Sequence, residues 1–87
     1  MDFLKACERA VATAATFGVR IRPITMESAH RCLSGQRLSD GFSQLAELGR
    51  LDLSLEAIAV KKEFTSLFSD DEANEALARL LEAGYRF

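Results

Sequence analysis

Apolar residues recur every three or four positions through most of this chain, and each run is opened by a Ser, Thr or Asp or closed by a glycine. That rhythm is the signature of short amphipathic helices. Asp2 is placed to cap a first helix carrying Phe3, Leu4, Cys7, Ala10, Val11, Ala14 and Phe17, with Gly18 closing it and Val19 folding back on Ala14. The pattern then changes. Val19 and Ile21 alternate with Arg20 and Arg22, and Pro23 forces its predecessor into an extended conformation, so residues 19–24 read as a short extended stretch. Tyr85, Arg86 and Phe87 alternate in the same way, which makes the tail a natural partner for it.

Between those segments the helical rhythm resumes. Thr25 caps a short helix through Met26, Ala29, His30 and Leu33 that ends at Gly35. Ser39 or Asp40 starts another, carrying Phe42, Leu45, Ala46 and Leu48 up to Gly49. Residues 51–55 alternate, but Asp52 or Ser54 reads better as a cap than as part of a strand. From 55 to 68, Leu55, Ile58, Ala59, Phe64, Leu67 and Phe68 form a broad apolar face with Glu56, Lys61, Lys62 and Glu63 outside it, which predicts a central helix. The clearest helix begins at Ser69, whose hydroxyl can cap the amide of Glu72 while Glu72 reaches back. It is expected to bury Ala73, Ala76, Leu77, Leu80 and Leu81, stop at Gly84 and lay Tyr85 on Leu80. The predicted fold is all-α: a compact bundle of four to five short helices, with room for a minor two-stranded pairing of residues 19–24 and 85–87.

Composition narrows this picture. With 87 residues the chain reads as a single helical domain, 1–87, and a chain this small buries only about 60–65% of its unfolded surface. An apolar content of 48% in so short a chain motivates a homodimer. The net charge of −2 marks neither a nucleic-acid binder nor an acidic mimic, yet it is unevenly spread. Residues 1–50 carry seven Lys/Arg against five Asp/Glu, and residues 51–87 carry four against eight. Lys5, Glu8 and Arg9 interrupt any apolar core of a secretory leader, no run approaches the ~18 apolar residues of a membrane span, and Cys7 and Cys32 read as reduced thiols. A cytoplasmic protein without membrane contact is expected.

The sequence offers little to build catalysis from. Cys7, His30 and Cys32 are the only soft metal ligands, and the last two point roughly 200° apart on a helix. His30 lines up instead with Met26 and Leu33 as a boundary histidine with one polar partner. No orienting group accompanies either thiol, and no glycine-rich phosphate loop is present. No enzyme activity, metal or cofactor is predicted.

Charge is the remaining signal. Asp70, Asp71, Glu72, Glu75 and Glu82 form an acidic face suited to a basic protein partner, although acids in a first helical turn are favoured by the helix dipole alone and Glu75 can pair with Arg79. Arg20, Arg22, Arg31 and Arg37, opposed only by Glu27, form a basic segment that could contact phosphates. The best helix-turn-helix candidate turns at residues 49–52 and reads with residues 54–64, but its exposed side holds no Arg, Asn or Gln. Ala6, Ala10 and Ala14 make a small-residue row for close helix packing or a dimer seam. The expected function is a small non-catalytic protein-interaction or regulatory module acting by surface complementarity, as a homodimer or with another protein. Two alternatives stand beside it: a small nucleic-acid-binding transcriptional regulator, with nucleic acid the less favoured partner, and a phage or mobile-element inhibitor that presents the acidic helix to a nucleic-acid enzyme.

Overall fold

The computed structural model describes residues 2–35 and 37–85. Its helices are α1 (Phe3–Thr16), α2 (Met26–Ser34), α3 (Phe42–Glu47), α4 (Leu55–Ala59) and α5 (Asp70–Glu82), with 3₁₀ turns at Leu51–Leu53 and Thr65–Leu67. No strand occurs among the described residues, and the fold is the all-α bundle that the sequence predicts.

The helix starts are set by local hydrogen bonds. Asp2 accepts from the Lys5 amide at 2.8 Å, and Ser54 from the Ala57 amide at 3.1 Å. Thr25 with Ser28, and Ser69 with Glu72, form reciprocal capping boxes. Each cap contributes about 1 kcal/mol. The ends of α1 and α5 close as anticipated: beyond the left-handed Gly18 and Gly84, the amides of Val19 and Tyr85 bond back to the carbonyls of Ala14 and Leu80.

At the centre lies α4, whose five residues are all buried. On one side it meets α1 and the Leu51–Leu53 turn, and on the other α5, which also packs on α2. Ala10 and Ala14 sit in this core and Ala6 at its edge, so the alanine row is taken up by contacts within the chain. Phe3 anchors the opposite end, its ring edge-on to Phe64 and Phe68 at centroid distances of 5.6 and 5.1 Å.

Four expectations are corrected. The predicted central helix over residues 55–68 stops at Ala59. Continued at 100° per residue, it would turn Phe64 and Phe68 roughly 180° and 220° away from Leu55. Breaking the helix returns both rings to the core beside Phe3. Second, α3 is preceded by the left-handed Gly41 rather than capped by Ser39 or Asp40, whose side chains bond elsewhere. A Cβ at Gly41 would stand 2.8 Å from Val19 Cγ1, so only glycine fits there. Third, Glu56 is wholly buried rather than outside the apolar face. Fourth, α5 exposes Leu81 at 62% and buries Arg79, because its inner face is rotated toward the partners of that arginine.

Residues 19–24 keep the alternation of a strand, with Val19 buried and Arg20 and Arg22 exposed, but have no strand beside them among the described residues. In the expected pairing with 85–87, Arg86 and Phe87 lie outside the described residues.

Candidate functional site

Three chain segments that are separate in sequence meet around one concave surface. Arg22 comes from the extended stretch before α2, Arg31 from α2 itself, and Arg37 from the segment that follows it. Together with Ile24, Cys32 and Leu38 they line a cleft of about 370 Å³. Three of the four arginines singled out in the sequence are thus brought together; Arg20 is exposed outside the cleft lining.

The arginines are held differently. Asp40 accepts from Arg22 Nε at 2.9 Å and Nη2 at 3.2 Å, a two-pronged clamp, and the Arg22 side-chain bonds hold the Asp40 carboxyl below the usual carboxylate range. Arg31 Nη2 donates to Glu27 Oε1 at 2.7 Å, one helical turn earlier on an exposed face, where such a pair is weak. Arg37 makes no ion pair among the described residues and stands exposed.

The wall of the cleft is fastened to the core by a buried ion pair. Arg79 Nη1 of α5 donates to Glu56 Oε2 of α4 at 3.2 Å, with the two side chains 5% and 0% exposed. Arg79 Nη2 also donates to the carbonyls of Cys32 and Gly35 at 3.1 and 2.9 Å, Nη1 to Cys32 Sγ at 3.7 Å, and Nε to Glu75 Oε2 at 3.1 Å. Five donors thus meet five acceptors, which makes so desolvated a cation tolerable. Burial works to lower the Arg79 pKa, and the bonds to Glu56 and its other partners outweigh it, so the guanidinium stays charged. Glu56 in turn accepts from the Ser39 hydroxyl and, through Oε2, from the Ser39 amide at 3.1 Å. Segments at both ends of the α2–α3 connection are thereby tied to α4 and α5.

The sequence reading missed this pair. Its signal was present, since Glu56 is a lone acid within residues 53–60 and Arg79 a lone base among residues 76–81, all otherwise apolar or small.

The acidic residues divide into two groups. Glu72 caps α5 by accepting from the Ser69 amide and pairs with His30 Nδ1 at 2.7 Å, and Glu75 is bound to Arg79. Burial pushes the Glu72 carboxyl up, but the Ser69 amide and the His30 ring together leave it below the ordinary carboxylate range. His30 rests on the Phe68 ring at 5.0 Å between centroids, a boundary histidine with a polar partner as anticipated. Asp70, Asp71 and Glu82 are exposed and make no ion pair among the described residues.

The thiols are poorly suited to chemistry. Burial pushes Cys7 up to about 11, and burial followed by the Glu56 carboxylate raises Cys32, so both stay protonated at neutral pH, the unreactive form. Both are free. The helix-turn-helix candidate fares no better, because its reading helix is the buried α4 and has no face to lay in a groove. No protein-family model, curated protein or solved structure matches the chain.

Proposed function

We propose that this chain is a non-catalytic protein-interaction module of the cytoplasm that works by surface complementarity, its basic cleft receiving an acidic segment of a partner protein. One observation carries this reading: Arg22, Arg31 and Arg37 converge on a single concave surface whose wall is pinned by the Glu56–Arg79 network. Wall segments held in place before binding lose little ordering entropy when a partner docks. The lining alternates charge with the apolar Pro23, Ile24 and Leu38, a mixture suited to a peptide carrying acidic and aliphatic side chains. As a phosphate-tracking surface it is thin: its lining carries three arginines, one of them clamped by Asp40, and the whole chain is net acidic. The protonated thiols support a non-catalytic role, and their free state suits a reducing compartment. No helix of the described residues is long and apolar enough to cross a membrane.

Fluorescence anisotropy with a labelled Glu- and Leu-rich peptide, a matched Lys-rich peptide and a short DNA duplex tests this reading. The acidic peptide is expected to bind, to weaken as salt rises and to lose its affinity when Arg31 and Arg37 are changed to Glu. Failure of the acidic peptide to bind refutes the proposal, and binding of the duplex in its place transfers the cleft to a nucleic-acid regulator.

A further inference from the structure

The cleft has a matching surface on the same molecule. Along the outer side of α5, Asp70, Asp71, Asn74, Ala78, Leu81 and Glu82 are all exposed, at helical spacing. Acids stand at both ends of this stripe, and Leu81 is the most exposed of the large apolar side chains among the described residues. The composition of the cleft is reciprocal: Arg22, Arg31 and Arg37 line it together with Ile24 and Leu38, and Leu38 is 49% exposed. Resting on the reading of the cleft as a protein-binding surface, we infer that its occupant is the outer face of α5 from a second copy of this chain.

Charge complementarity selects this occupant. Glu72 and Glu75 are consumed inside the molecule, whereas Asp70, Asp71 and Glu82 on α5 and Arg37 at the cleft are without ion pairs among the described residues. Unmatched charges of opposite sign on one chain are matched when two copies meet. Because α2 carries Arg31 into the cleft while Ser34 and Gly35 at its C-terminal end line a hollow with Asp71 of α5, the cleft and the N-terminal part of the acidic stripe border the same helix. A two-fold axis beside it sets the cleft of each copy against the α5 of the other, so each contact is made twice. The dimensions permit this. An ordinary interface of about 800 Å² per partner would cover about one-seventh of the 5666 Å² surface. The net charge of −2 leaves little overall repulsion between copies.

Sedimentation velocity on the whole chain, over a concentration series at low and high salt, tests the inference together with Arg37→Glu and Asp71→Lys. Both positions are exposed and make no ion pair within the chain among the described residues, and circular dichroism verifies that each variant remains folded. The wild type is expected to dimerise and to dissociate as salt rises. Each reversal should weaken the dimer about tenfold or more, and an equimolar mixture of the two should recover association, because every reversed charge then faces a reversed partner. A wild type that stays monomeric at the highest concentration overturns the inference. So does a dimer indifferent to both reversals, or a mixture that recovers nothing. A monomeric wild type that still binds the acidic peptide leaves the protein-binding cleft standing and removes only the second copy as its occupant, whereas failure of both removes both.

Discussion

Replacing Arg79 by Met tests how the cleft wall is held. Met keeps much of the aliphatic stem but deletes all five donors, leaving Glu56 desolvated and bonded only to Ser39, and the carbonyls of Cys32 and Gly35 without their donor. Breaking a buried ion pair from one side costs about 3–5 kcal/mol. At 0.05–0.15 kcal/mol per residue, an 87-residue chain has a total stability of roughly 4–13 kcal/mol, so the substitution removes a large share of it. At about 4–8 °C per kcal/mol, the midpoint should fall by roughly 12–40 °C. Thermal and urea unfolding followed by circular dichroism read the loss directly. The companion Glu56→Leu/Arg79→Met separates charge burial from loop attachment. An isolated buried pair is often replaced by apolar residues at no loss, or with a gain of about 1–4 kcal/mol. Here the Ser39 amide and two carbonyls lose partners as well, so the double variant should fall between Arg79→Met and wild type, with faster amide exchange at Ser39. An Arg79→Met protein within about 1 kcal/mol of wild type would refute the reasoning, as would a double variant no better than the single.

Two further outcomes follow from the backbone and from the carboxylates. Gly41→Ala should destabilise by about 2–4 kcal/mol, combining a left-handed backbone with a Cβ 2.8 Å from Val19, whereas Gly49→Ala, equally left-handed but facing open space, should cost only about 1–2 kcal/mol. Equal losses in urea melts would contradict the contact. For acid stability, the folded Glu72 carboxyl lies below its unfolded value, so the unfolded chain binds more protons as pH falls. Its contribution is complete above the ordinary carboxylate range near about 4.3 and is lost as pH falls through the folded value. Glu72→Gln should therefore flatten the acid limb of a melting-temperature profile taken between pH 7 and 2.5, and an unchanged slope would count against the His30 and Ser69 contacts.

The sequence by itself determined the helical class and most helix ends. Asp2, Thr25, Ser54 and Ser69 cap as read, and the chain turns back at Gly18 and Gly84, because a cap bonds to an amide only three residues away and a glycine closure to a carbonyl five back. The pairing of Glu75 with Arg79 was legible for the same reason, and the basic segment was legible as composition without its shape. Only the tertiary structure decided where residues 55–68 break, since the halt at Ala59 sets Phe64 and Phe68 against Phe3, more than fifty residues earlier in the chain. Tertiary structure also diverted Ser39 and Asp40 from capping to Glu56 and Arg22, buried the Glu56–Arg79 pair across 23 residues, and drew three scattered arginines around one cleft. Helix signals act over one turn of chain and are written in neighbouring residues. The partner of a desolvated charge is chosen by how elements pack, and that choice belongs to the folded whole.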